Sequence, residues 1–280
     1  MARATVRRLA ALLAVLAAAA SPQAQPSLTR IAEFGVPEAG QGVGVDARYF
    51  YAVSDTTLAK YDKRTGQLVT RWSQPAGGPL IHLDSAMVKD GRIYAAHSNY
   101  PTWPMTSSLE VFDADTLEHV DSHSFGIRWG SLTWVDFHDG FWWMTFANYD
   151  QPYGPGGTPY GHKAATQLIK FTTDFHMVEA WTLPAAILDK FDLMSNSGGS
   201  WGPDGFLYLT GHDLAELYRM RLPAAGSVLD LVATIPMAVR GQGIAWDRSE
   251  PGVIYGIVRA TAAERAAGGR NKVVAFRLTP

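Results

Sequence analysis

The chain contains no cysteine, which removes disulfide scaffolds, thiolate metal sites and cysteine nucleophiles together. Charge is sparse as well. Asp, Glu, Lys and Arg make up 18% of 280 residues, and 26 acids against 24 bases leave no basic excess for a nucleic-acid or anionic-lipid surface. Only one long apolar run occurs, from Leu9 to Ala20 behind Arg3, Arg7 and Arg8. It is too short for a membrane span of roughly 18 or more apolar residues and has the layout of a secretory leader. Residues 1–24 are therefore expected to be a signal peptide, residues 25–280 a single domain, and the mature protein periplasmic or secreted without a membrane anchor. Hydrophobic residues reach 47% and aromatics 11%, including nine Trp. That is enough for a substantial core and is biased toward strands.

A turn followed by an apolar-aromatic strand recurs as Asp90-Gly91-Arg92-Ile93-Tyr94, Asp139-Gly140-Phe141-Trp142-Trp143 and Asp204-Gly205-Phe206-Leu207-Tyr208, with weaker copies at Ala47 to Tyr51 and Pro251 to Tyr255. Each is followed by a second strand: Leu58 to Asp62, Leu109 to Asp113, Leu168 to Thr172, Leu217 to Arg221 and Val273 to Arg277. A period of about 45 residues built from short strands predicts an all-β, five-bladed β-propeller of four-stranded blades. The chain ends after a third strand, and Leu28 to Val36 precedes the first blade. Leu28 to Val36 is expected to complete the last blade and close the ring, which removes long free sheet edges.

In such a ring, the loops entering the innermost strands and those joining second to third strands open on one face. The second-to-third connections lengthen markedly: Asp55-Thr56, then Asn99 to Ser107, Asn148 to Ala165 and Arg259 to Asn271. Long loops on one face suggest a lid over a site. The residues expected to converge there as substrate-binding groups are Gln41, Asp55, His82, Asp84, Asn99, Trp134, Asn148, Gln242 and Arg259. Ser131, Thr133, Ser197 and Ser200 are expected along the upper channel. Gly211-His212-Asp213 presents two ionisable groups at a strand end, and histidine titrates near neutrality. His212 and Asp213, with His97 as a further acid-base candidate, are the expected catalytic residues. Trp134, Trp201 and Trp246 recur on innermost strands, where wedge packing between blades competes with a pocket role. Tyr100, Trp103 and Tyr153 suggest an aromatic wall. Asp62 and Asp113 precede outer turns and read as structural.

No cofactor is expected. A divalent cation held by His82, Asp84, His97 and His212 is the alternative, although no His-x-x-x-His or acidic cluster enforces it. A serine hydrolase lacks its Gly-x-Ser-x-Gly elbow.

Gly40-Gln41-Gly42-Val43, Leu132-Thr133-Trp134, Leu207 to Leu217 and Gly243-Ile244-Ala245-Trp246-Asp247 resemble, in order, blade signatures of plant and bacterial glutaminyl cyclases, which are five-bladed propellers. They are also similar to secreted proteobacterial propellers labelled as cycloisomerases. The resemblance implies intramolecular chemistry in which a pocket holds a flexible substrate folded on itself. It matches Gln41 to the channel glutamine and Trp134 to the pocket tryptophan, and sets Arg259 where the cyclases have a lysine. The family's glutamate on the second strand of the first blade has no equivalent in Tyr51-Ala52-Val53-Ser54-Asp55, where Asp55 is the nearest substitute. The expected function is an exported cyclase, isomerase or lyase acting as a monomer on a small molecule or short peptide. The alternatives are a metal-assisted lactonase-like hydrolase and a noncatalytic binding or scaffold propeller.

Overall fold

Local sequence sets the hairpins. At Asp90-Gly91 and Asp139-Gly140 both residues have positive φ, between 50° and 80°. This is the left-handed pair that a two-residue hairpin needs to match the twist of its strands. The computed structural model describes residues 25–279, so the expected leader over residues 1–24 lies outside the described residues.

Five four-stranded antiparallel sheets follow one another along the chain. The first strand, β1 (Ser27–Gly35), is set aside for the last blade. Blade one is β2 (Gly42–Val45), β3 (Tyr49–Ser54), β4 (Thr57–Asp62) and β5 (Leu68–Ser73). Blade two is β6 (Leu83–Lys89), β7 (Arg92–Ser98), β8 (Ser107–Asp113) and β9 (His119–Gly126). Blade three is β10 (Ser131–His138), β11 (Phe141–Ala147), β12 (Gln167–Phe171) and β13 (Met177–Thr182). Blade four is β14 (Gly198–Trp201), β15 (Leu207–Thr210), β16 (Glu216–Arg221) and β17 (Asp230–Pro236). Blade five is β18 (Ile244–Trp246), β19 (Val253–Val258) and β20 (Lys272–Thr279), completed by β1. β1 pairs antiparallel with β20 from Ser27↔Thr279 to Gly35↔Lys272, so the expected ring closure is observed. Two short helices, Ala185–Leu188 and Ala262–Ala266, decorate the sheets.

The core is divided into wedges between neighbouring blades. Phe50, Tyr61, Tyr255 and Val273 fill the wedge of blades one and five, and Leu58, Leu83, Ile93 and Phe112 that of blades one and two. At two glycines near the axis there is no room for a side chain. A Cβ on Gly42 would lie 2.9 Å from the Asp84 carbonyl oxygen, and one on Gly243 would lie 2.8 Å from Gly42 Cα. The innermost strands therefore touch backbone to backbone, and the Gly243 amide donates to the Gln41 carbonyl at 2.9 Å across blades five and one.

Asp62 and Asp113 are turn residues, each accepting from the backbone amides two and three positions on. This agrees with their structural reading.

Candidate functional site

The strand entrances and second-to-third loops share one face, as their backbone bonds show: the Leu83 amide donates to the Asp55 carbonyl, and the Gln242 amide to that of Gly211. On this face six of the expected residues form one connected polar chain. His82 Nδ1 lies 2.7 Å from Asp55 Oδ1, and Gln41 Nε2 donates to the same oxygen at 2.8 Å. In the orientation that satisfies its neighbours, the Gln242 amide donates to Gln41 Oε1 at 3.2 Å. Its oxygen accepts from Arg259 at 2.8 and 3.2 Å and lies 3.3 Å from His212 Nε2. On the other side of His82, Nε2 faces Asp84 Oδ2 at 3.8 Å. Groups from blades two, one, five and four thus meet around the mouth.

Electrostatics divide their labour. Asp84 is buried with Oδ1 unpartnered, and burial, aided by the Asp55 charge, pushes its carboxyl up to about 7. Burial alone would depress His82, but the Asp55 hydrogen bond and the charges of Asp84 and Asp55 reverse this and raise it above the ordinary imidazole value. Asp55 runs the other way. Burial raises it, yet His82, Gln41 and Arg259 together hold it below the usual carboxylate range. His212 is lowered, chiefly by burial, with Arg259 and His82 adding to the effect against Asp213. Arg259 is also lowered by burial while Asp213, Asp84 and Asp55 oppose the shift. A guanidinium keeps its charge through any such change.

Aromatic side chains from the inserted loops roof this set. The Tyr100 ring lies 4.9 Å from His82, with Tyr149 at 5.8 Å and Tyr153 at 5.5 Å from Tyr100. Trp103 stacks on Tyr160 behind them. Burial and the Asp84 charge hold the Tyr149 hydroxyl far above the ordinary phenol range. It stays a neutral O–H beside that carboxyl. Tyr149 is a functional candidate that sequence reasoning did not single out; its signal was an aromatic residue at the first turn of the longest loop.

His212 and Asp213 are adjacent as expected, with Nδ1 2.8 Å from Asp213 Oδ1. However, that oxygen lies off the ring's N–H direction, and Nδ1 is left without a hydrogen-bond partner. His97 is not at the mouth. It pairs with Leu83 across β6 and β7, and directly paired residues share a sheet face. Leu83 belongs to the wedge facing blade one, and His97 Nδ1 accordingly meets Ser108 Oγ at 2.9 Å. Trp134 is fully buried between blades three and four, its indole N–H donating to Asn196 Oδ1 at 2.6 Å. Packing, and not the channel, accounts for it. Asn99 staples its own loop through the Pro104 carbonyl and the Thr106 amide, and Asn148 staples its loop through the Trp129 and Ala165 carbonyls. Ser200 lies at the opposite end of the channel, donating to Asp136 Oδ2. Among the described residues no group of three or more His, Asp or Glu is arranged to hold a metal ion.

No protein-family model matches the sequence, and no curated protein matches it. The fold is similar to that of solved structures at low identity. A luciferin-regenerating enzyme aligns with TM-score 0.50 and 14% identity over 91% of this chain and 96% of its own. A protein of unknown function from Bacteroides caccae gives 0.46 and 10%, over 81% and 73%. A neuraminidase-like protein of subtype N11 from A/flat-faced bat/Peru/033/2010 gives 0.46 and 11%, over 86% and 74%. What this chain shares with the luciferin-regenerating enzyme, itself an enzyme, is the propeller fold.

Proposed function

We propose that the chain is an exported enzyme of the cyclase, isomerase or lyase kind. It acts by acid-base chemistry on a small polar molecule or short peptide at the channel mouth. One observation carries the reading: a buried aspartate with an unpartnered oxygen stands 3.8 Å from His82 Nε2, while Asp55 grips the other nitrogen of the same ring at 2.7 Å. A carboxyl kept enclosed without donors costs stability, and such perturbed pairs concentrate where protons are moved. Near neutral pH Asp84 exchanges between acid and carboxylate, so it serves as donor or acceptor without a large free-energy mismatch. His82, oriented by Asp55, passes the proton between Asp84 and the substrate. Arg259, braced by Gln242, binds a substrate carboxylate or the oxygen on which negative charge develops. The tyrosine roof excludes water and holds the substrate folded, so that orientation supplies much of the rate. His212 is a positioning residue in this scheme, bonded to Gln242.

Ring closure of an N-terminal glutaminyl peptide is one member of this class. Its α-amine attacks the side-chain amide carbon, and the proton that this nitrogen loses as the ring C–N bond forms goes to His82. The amide nitrogen takes one from Asp84 as its C–N bond breaks and it leaves as ammonia, and His82 returns a proton to Asp84. The glutaminyl cyclase resemblance matches Gln41 to the channel glutamine and sets Arg259 where the cyclases have a lysine. Trp134 is instead fully buried between blades three and four, and Asp55 is the nearest substitute for the glutamate. The leader pattern of residues 1–24 supports export, and no helix of the described residues is long and apolar enough to cross a membrane. We take the working form to be a monomer without a resident cofactor or a nucleic-acid partner.

The test is turnover of a panel of N-terminal glutaminyl peptides, lactones and their ring-opened counterparts, with and without chelator. Asp84→Asn and His82→Gln are expected to lose about 10²- to 10⁴-fold in kcat, while His212→Ala changes KM more than kcat. Undiminished turnover by Asp84→Asn, or loss of activity with chelator alone, would overturn the scheme. Binding without turnover of any panel member would favour the noncatalytic propeller.

A further inference from the structure

The side chain of His97, absent from the mouth, lines a cavity on the flank of the ring, between blades one and two. It encloses about 580 Å³. Its walls come from two sources. Trp72, Pro75, Pro79 and Leu80 give it an apolar side, and β8 and β9 give it Glu110, His119 and serine hydroxyls. β8 alternates so that Ser108 and Glu110 share a face, which the pairing of Ser108 with His97 turns toward blade one.

Glu110 is 2% exposed, an unusual depth for a carboxylate. His119 Nε2 lies 2.7 Å from its Oε2, and Ser122 Oγ donates to Oε1 at 3.0 Å. A carboxylate has about four acceptor sites, so roughly half its capacity remains open. Its salt-bridge partners among the described residues are the imidazoles of His119 and, at 3.9 Å, His97. Neither lysine nor arginine lines the cavity. Burial depresses the His97 imidazole to about 4 and so keeps it uncharged, and its Nε2 has no hydrogen-bond partner. The cavity thus combines a buried anion with spare acceptor sites, an unpartnered imidazole nitrogen, hydroxyls and an indole wall, with no permanent cation to neutralise it.

We infer that this flank cavity binds a small organic ammonium ion, an amine with an apolar body, whose charged head meets Glu110 and whose body lies against Trp72 and Leu80. An ammonium supplies a permanent countercharge and the donors that the open carboxylate positions lack. The indole face adds a cation–π attraction. Neutral alcohols of the same shape lack the first contribution, and carboxylates are repelled. This assignment is independent of the chemistry at the mouth.

The test uses phenethylammonium as probe, with phenethyl alcohol and phenylacetate as neutral and anionic counterparts, titrated calorimetrically into the full mature chain. Phenethylammonium is expected to saturate, with the alcohol about ten- to hundredfold weaker, the range of a hydrogen bond to a charged group. Glu110→Gln, which keeps the shape and removes the charge, should cost the amine a similar factor and leave the alcohol unchanged. Equal affinity for amine and alcohol, retained amine affinity in a folded Glu110→Gln, or no saturable binding would each overturn the inference. If Glu110→Gln does not fold, the amine-to-alcohol ratio in the unmodified protein still decides. Saturable zinc binding that displaces the amine and is lost in His119→Gln would make this a metal site and also overturn it.

Discussion

Replacing Asp84 with asparagine should give an advantage in stability over the parent that grows as pH rises, while destroying the proposed chemistry. The Asp84 carboxyl sits at about 7 in the folded chain against a reference of 3.8. With a folded value above the unfolded one, the native state binds the extra proton, so stability falls as pH rises through this window. The full cost, reached above the folded value, is about 4 kcal/mol at roughly 1.4 kcal/mol for each tenfold in proton affinity. At pH 5 only about 1.5 kcal/mol of it is felt, because the unfolded chain is ionised there and the native carboxyl still carries its proton. An amide removes the dependence. The variant's advantage over the parent should therefore grow by about 2.5 kcal/mol between pH 5 and pH 8, or about 5 to 10 °C in Tm for a chain of this size. His82 changes the parent's own curve in the same direction. Its raised imidazole gives stability that is present below 6.5 and lost as pH climbs through the folded value. Asp55, held low, matters only in acid, where its contribution disappears as pH falls. Urea denaturation of both proteins at pH 5, 6, 7 and 8 measures the difference directly. A stability gap that stays flat across those four values would refute the claim that Asp84 is protonated in the folded site.

Two packing predictions separate structural residues from the mouth. Trp134→Ala should cost about 3 to 5 kcal/mol in urea melts, and Gly199→Ala about 1 to 3 kcal/mol or more, since an added Cβ would lie 2.2 Å from the Trp134 ring; neither should move the pH profile of turnover. Arg248→Ala should cost about 2 to 3 kcal/mol, below the figure for a fully buried pair because the guanidinium is half exposed. A melt unchanged by that substitution would show that the Asp136 pair does not fasten the ring.

The strand order was readable because a propeller repeats local signals. Asp-Gly turns, aromatic second strands and alternating third strands each act over five or six residues, and the ring follows from their number. Ring closure was readable from a deficit at one end and a surplus at the other. Side-chain direction was not. His97 lies one residue before the end of β7 and His212 two residues past the end of β15, and nothing in the local sequence says which way either side chain turns. That is fixed by pairing, His97 with Leu83, and by register shifts such as the one between Leu83 and Ala86. The His82–Asp84 spacing did carry a usable signal. Residues two apart on a strand share a face, and a His-x-Asp at an innermost strand entrance brings an acid and an imidazole together without help from another blade. Trp134 misled because aromatic residues on innermost strands serve wedge and pocket alike.

Two aspartates on innermost strands support placing the proposed chemistry at one end of the channel. Asp84 and Asp136 lie on neighbouring blades and are almost equally enclosed. At Asp136 one oxygen receives Ser200 Oγ, the Trp201 amide and the Arg248 guanidinium at 2.7 to 3.0 Å, while the Phe137 amide bonds to the other. A carboxylate so supplied repays its burial and ties blades three, four and five together at that end. At Asp84 the comparable donors are missing, and a single imidazole stands at 3.8 Å. Fold stability would favour the first arrangement at both positions, because the second leaves an enclosed polar atom unpaired at about 1 to 3 kcal/mol. The closely packed axis tolerates that cost at the mouth, under the tyrosine roof and beside Arg259, and avoids it at the other end. The difference in partnership, more than the presence of ionisable residues, is what the proposed proton transfer at the mouth rests on.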